Sequence, residues 1–241
     1  MKKISLLLCV SFILFSCKKD VKLDFEEQNI EQTTNAIVEI SYPKAQGTKN
    51  VAESINSTLE NFIANEINMS EDVVKNVTLN EAIKGFDNEF KTFKKDFENV
   101  TQQWKASVNA EVIYESSKII CFSINTYLDT GGAHGNSHVT FLNFDAQTGK
   151  LLKQNDLIKN PEDFKKIAEE YFLKEAEPIN NGDNLEDYFF GEGFKLPENM
   201  GFNENGIILL YNVYEIASYV QGVTEFTIPY AEANPYLKIE Q

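Results

Sequence analysis

His134 and His138 are the only histidines in the 241-residue chain, and they stand four residues apart in YLDTGGAHGNSHVTFLNFDAQTGK, residues 127–150. Imidazoles at that spacing share one face of an α-helix and can hold a zinc ion, with Asp129 or Asp145 as a third ligand. The surrounding residues argue for another use. Gly131-Gly132 precede the pair and Gly135-Asn136-Ser137 separate it, so a loop is expected. In an extended run, residues 134 and 138 stand too far apart for one ion. Neither a third histidine nor a cysteine cluster adds a ligand, and no metal or cofactor is expected. Ser137 beside His138 does not make a triad, and the chain has no G-x-S-x-G elbow, so no catalytic residue is assigned. With 37 acidic residues, a glycosidase-type carboxylate pair stays open on spacing alone. The glycines are expected to let backbone pass tightly between strands, and the imidazoles to hydrogen-bond loop carbonyls. Ligand contact is an additional role, which makes Gly131, Gly132, His134, Asn136 and His138 the candidate ligand-binding loop.

A second chemical signal lies at the start of the chain. MKKISLLLCVSFILFSC has Lys2 and Lys3 ahead of an apolar run over residues 4–15. That run is too short for a permanent membrane span and reads as a signal peptide, residues 1–16. Leu14-Phe15-Ser16-Cys17 resembles a bacterial lipobox, which makes Cys17 the lipid attachment point and the membrane a partner through that lipid. Lys18, in place of an aspartate retention signal, points to an outer-membrane lipoprotein on the periplasmic side or at the cell surface. Cys9 leaves with the signal and Cys17 is acylated, so Cys121 is expected to be a free, buried thiol. The net charge of −15 and the absence of any arginine exclude nucleic acid and favour basic partners.

The elements that must position the histidine stretch follow from periodicity. Residues 17–33 are acidic and without clear repeat, and are expected to form a tether. A short strand then ends at Pro43. Val51, Ile55, Leu59, Phe62, Ile63 and Ile67 predict a first helix capped by Thr48 or Asn50. Ile83, Phe86, Phe90, Phe93, Phe97 and Val100 predict a second helix with a phenylalanine stripe facing the core. A third starts at Asn160-Pro161, with Phe164, Ile167, Ala168, Tyr171 and Phe172 on its face. Between the second and third the period changes to two. Val108 to Tyr114 and Ile120 to Thr126 alternate around a Ser116-Ser117 turn. Residues 139–144 form a further strand before the turn DAQTGK, where Gly149 takes positive φ. Asn205-Gly206 starts another strand continuing to about Ala217, and VTEFTIPY is the last. The expected class is α+β, with mainly antiparallel sheets packed with three helices in two interlocked subdomains, residues 34–150 and 151–237.

This order of elements, with YLDTGGAHGN, NFDAQTGKLLKQNDLI, YEIASYVQG and TEFTIPY at their places, resembles the PdaC/RsiV-like family over residues 34–237. Members of that family pair the module with a following domain of unknown function. The resemblance implies an extracytoplasmic module on the cell envelope. In one relative it precedes a peptidoglycan deacetylase, and in another it is the outer part of an anti-sigma factor that binds lysozyme. In both it is a recognition unit. This chain leaves no room for a deacetylase domain after Leu237 and has no second hydrophobic segment, so only the recognition part is expected. The expected function is a lipid-anchored envelope module recognising wall glycan or a basic, lysozyme-type wall hydrolase. The alternatives are an envelope polysaccharide hydrolase and a purely structural envelope lipoprotein.

Overall fold

The computed structural model describes residues 21–70, 74–97, 99–180 and 188–241; the signal segment and Cys17 lie outside them. The fold is α+β, with two mostly antiparallel sheets, each carrying its own helices.

The larger sheet has the order β1 (Leu23–Gln32), β2 (Ile37–Gly47), β3 (Lys105–Glu115), β4 (Ile119–Asp129), β5 (Asn136–Asp145) and β6 (Leu151–Leu152). Only β2 and β3 run parallel, because α1 (Lys49–Glu66) and α2 (Leu79–Asp96) form the crossover between them. Residues 23–32 therefore depart from the expected tether. They pair with β2 from Leu23 opposite Gly47 to Gln32 opposite Val38. Leu23, Phe25 and Ile30 suffice for this: they pack on the core, and Phe25 meets Phe122 edge-on at 5.7 Å. The acidic side chains between them, Asp24, Glu26 and Glu31, are exposed and discourage pairing along the open edge.

Helix α1 begins at Thr48, as its periodicity predicts, and buries Ile55, Leu59 and Ile63 completely. Thr48 does not cap α1 with its side chain, because its hydroxyl accepts from the Lys22 N–H at 3.1 Å. Helix α2 opens on a capping box in which Thr78 and Glu81 satisfy each other's backbone N–H. Its phenylalanine stripe is shorter than its spacing suggests. Phe86, Phe90 and Phe93 gather around Trp104 at 5.7, 5.6 and 5.2 Å. Phe97 is the C-cap and is 57 % exposed, and Val100 lies beyond the helix.

The smaller sheet comprises β7 (Met200–Phe202), β8 (Gly206–Tyr211) and β9 (Thr224–Pro229). A short helix, α3 (Gln154–Leu157), leads into α4 (Pro161–Asn180), and α5 (Tyr230–Ala233) follows β9. Asn160 accepts from the Phe164 N–H through its backbone carbonyl at 3.0 Å and from the Asp163 N–H through its side chain at 3.5 Å, which places it as the cap of α4. Phe172 of α4 centres an aromatic core, with Tyr188, Phe189, Phe194 and Tyr211 all within 6 Å. Ile119, Cys121 and Phe141 of the large sheet belong to this second core, which interlocks the two halves. Cys121 is fully buried, and burial pushes its thiol up to about 12. That leaves it a small hydrophobe whose sulfur accepts from the Phe202 N–H at 3.3 Å.

Asparagines form the seam. Strand β6 covers only Asn143 and Phe144 of β5. Upstream of them, side chains take the place of a neighbouring strand. Asn199 accepts from the Phe141 N–H at 2.8 Å and donates to the Val139 carbonyl at 2.7 Å. Asn212 accepts from the Val139 N–H at 2.8 Å, and Asn143 donates to the Met200 carbonyl at 2.7 Å. Asn199 and Asn212 each supply both the donor and the acceptor that a buried backbone edge requires.

Candidate ligand-binding site

Strand β4 ends in Tyr127 and Asp129, and these two residues shape the glycine-rich loop over residues 130–135. The Asp129 carboxylate accepts from the Gly131 N–H at 3.0 Å and from the Gln102 amide at 2.8 and 2.9 Å. Gly131 takes φ +83°, which a side chain would resist. At Gly135 the constraint is proximity: a Cβ there would fall 2.3 Å from the Tyr127 hydroxyl oxygen, so the loop closes only over a bare backbone. Gly132 is exposed and makes no comparable demand.

The structure separates the two histidines by role. His134 stays in the loop, exposed, and its Nδ1–H donates to the Gly135 carbonyl at 2.8 Å, as the sequence suggests. His138 does not bond a loop carbonyl. Strand β5 starts at Asn136 instead of 139, so Asn136, Ser137 and His138 lie within the sheet, with His138 opposite Thr126 of β4. There the His138 Nε2 meets Glu66 Oε2 at 2.5 Å, and the Thr126 hydroxyl donates to the same oxygen at 2.6 Å. The hydrogen bond to Glu66 raises the His138 pKa, burial opposes it, and the charge of Glu66 adds to the rise. Among the described residues, no three His, Cys, Asp or Glu side chains converge on a point that could hold a metal ion.

A second loop completes the site. Residues 212–223 connect β8 to β9. Strand β8 ends at Tyr211, short of the expected Ala217, because Asn212 turns its side chain to β5 and Tyr214 adopts φ +66°. Tyr219 lies 5.0 Å from the His134 ring and 5.4 Å from Tyr214, which gives three adjoining rings at the surface. Tyr214 and Tyr219 are 56 % and 46 % exposed, Val220 is 93 % exposed, and Val223 is also open to solvent. Periodicity has no means of finding this platform, because it belongs to neither a strand nor a helix. The signal available was an aromatic, apolar run, YEIASYVQGV, of which Ile216 and Ala217 enter the core while Tyr214, Tyr219, Val220 and Val223 stay exposed.

Val223 of the same loop borders the sheet face turned away from α1 and α2, which is polar at this end. Strand register aligns Ser107 of β3 with Tyr127 of β4 and Ser137 of β5, and aligns Asn109 with Asn125 and Val139. With His138 and Val223 these residues line a cavity of about 220 Å³. The arrangement offers aromatic faces beside hydroxyls and amides, which suits binding of a ligand with alternating apolar faces and polar edges.

Comparison with known proteins places the chain. Residues 30–137 match the family described as Deacetylase PdaC, and residues 152–231 match the family described as a protein of unknown function, DUF3298. The chain is a PdaC-type module joined to a DUF3298 domain. This pairing is that of an extracytoplasmic cell-envelope module. A crystal structure of a DUF3298 family member from Bacteroides fragilis NCTC 9343 is similar at 22 % identity, over 92 % of this chain and 96 % of that one, with a TM-score of 0.69. A DUF3298 family protein from Pseudomonas aeruginosa PAO1 is similar at 16 % identity, over 92 % and 97 %, with a TM-score of 0.59. At those identities the likeness concerns the fold. No curated protein matches the chain. The glycine-histidine loop falls within and just after the PdaC match, and the tyrosine loop falls within the DUF3298 match, so the candidate site draws on both parts.

Proposed function

We propose that this PdaC-type and DUF3298 chain is a binding module of the cell envelope that recognises wall glycan at the face built by His134, Tyr219, Tyr127 and Asn125. The observation that carries the reading is the exposed cluster of Tyr214, Tyr219 and His134, formed in part by a loop whose Val223 also lines the cavity of sheet amides and hydroxyls. A pyranose ring presents a C–H face that packs on an aromatic side chain and a rim of hydroxyls that Asn and Ser side chains can bond. His138 is engaged with Glu66, and no hydrogen bond ties it to a hydroxyl or thiol nucleophile among the described residues, which favours recognition over hydrolysis. The net charge of −15 supports a second reading, capture of a basic wall hydrolase such as lysozyme, through steering that salt would weaken. The module is held at the outer membrane by lipid on Cys17.

The test is direct binding of the purified protein to soluble peptidoglycan fragments and, separately, to lysozyme. Saturable glycan binding that persists at high salt supports the main reading. Binding to lysozyme alone moves the function to the second, and binding to neither overturns both.

A further inference from the structure

A different chemistry is concentrated at the C-terminal end of α2. The chain has 37 acidic residues against 22 basic ones, so lysines gathered around one cavity with no carboxylate in its lining run against its overall charge. Lys91, Lys94 and Lys95 are such lysines: among the described residues, no carboxylate lies within ion-pair distance of any of them. Their spacing places Lys94 and Lys95 three and four residues after Lys91, on one helix face, where like charges repel. The face borders a cavity of about 460 Å³ that the three lysines share with Thr34, Thr101 and Gln103, above an apolar floor that includes Phe90 and Val100. No Asp or Glu lines it.

Negative groups lie close by, Asp96 directly after Lys95 among them, and none forms an ion pair with the three lysines. The end of α2 carries the helix dipole's negative pole, about half an elementary charge, against three ammonium groups. Asp87, one turn before Lys91, is already saturated: its carboxylate accepts from the Asn35 N–H at 2.7 Å, the Asn35 amide at 2.6 Å and the Ala36 N–H at 3.0 Å. The cavity wall thus keeps a net positive charge in a strongly negative molecule.

We propose that this cavity is an anion-binding site for a phosphate-bearing ligand. Lys91, Lys94 and Lys95 supply the compensating charge, and the hydroxyls of Thr34 and Thr101 are available as donors to phosphate oxygens. A compact group with several oxygens and up to two negative charges fits three flexible ammoniums better than a single carboxylate does. The site shares no residue with the proposed glycan face, so the two readings stand or fall separately.

The test titrates the purified protein with inorganic phosphate, followed by amide NMR, alongside co-sedimentation with vesicles of phosphatidylglycerol or of phosphatidylcholine. Saturable shifts confined to residues 34–35, 91–95 and 100–103 are expected. The triple variant Lys91→Gln, Lys94→Gln, Lys95→Gln should bind phosphate at least tenfold more weakly at unchanged circular dichroism, while Lys84→Gln, elsewhere on α2, should bind like wild type. Vesicle binding that needs phosphatidylglycerol and is competed by phosphate identifies a lipid headgroup as the source of the anion. Phosphate binding without vesicle binding identifies a soluble or polymer-borne one. Absence of saturable binding to phosphate and to both vesicles, or equal binding by wild type and the triple variant, overturns the proposal.

Discussion

Glu66 and His138 meet at 2.5 Å, the one closing α1 and the other lying on β5, 72 residues apart in sequence. A carboxylate at a helix C-terminus faces the negative pole of the dipole, so an imidazolium across from it offsets an unfavourable placement. The Thr126 hydroxyl on the same oxygen fixes the geometry, and the contact ties α1 to the two strands that lead into and out of the glycine loop.

The pH dependence of this contact follows from its sign. The folded-state pKa of His138 is raised above its ordinary 6.5, chiefly by the hydrogen bond to Glu66. The stability it contributes is therefore fully present below about 6.5 and is lost as pH rises through the raised value. Urea unfolding of wild type and His138→Gln should differ more at about pH 5.5 than at about pH 8.5. A difference that is constant across that range, or that grows with pH, contradicts the pairing.

Gly149 has φ +69°, and a Cβ there would fall 2.6 Å from the Val51 carbonyl oxygen of α1. Gly149→Val meets both a strained backbone and a collision, and should lower stability by about 1–3 kcal/mol or more. Thermal unfolding of the variant checks this; an unchanged midpoint would mean that the turn does not dock on α1.

Much of this architecture is legible in the residues themselves. Ile55, Leu59 and Ile63 announce α1, Asn160-Pro161 starts α4, and Gly149 marks its turn, because each is decided by local geometry. What is not legible depends on distant partners. The residues of β1 look like an acidic linker until β2 lies beside Leu23, Phe25 and Ile30. His138 resembles a loop residue until the pairing of β4 with β5 sets it opposite Thr126 and near Glu66. The Tyr219 platform arises where two loops 85 residues apart meet, and neither loop carries a period from which to infer it.

The asparagine seam makes another prediction. Asn199→Ala leaves the Phe141 N–H and the Val139 carbonyl without this partner at a half-buried edge. Each group left unsatisfied costs about 1–3 kcal/mol, with Asn212 still serving Val139. Asn199→Ala should lose about 1–4 kcal/mol in chemical denaturation, and protection from hydrogen exchange at Phe141 should fall first. Wild-type exchange at Phe141 in the variant would argue against the seam.

Cys17→Ser should abolish lipid attachment, leaving an unprocessed or soluble product. Fractionation that still finds the variant in the detergent-extracted membrane with wild-type mobility would contradict the anchoring proposal.

The claim at the centre of this account is that the rings of Tyr219 and His134 and the amides of the sheet cavity form one glycan-binding face. Its most direct test is calorimetric titration of wild type, Tyr219→Ala and Asn125→Ala with a soluble peptidoglycan fragment at two salt concentrations. Removing an aromatic face or a bonded amide in a binding site costs about 1–3 kcal/mol, so each variant should bind roughly 5- to 100-fold more weakly, with little dependence on salt. Wild-type affinity in both variants, or no binding of the fragment by the wild type, would contradict it.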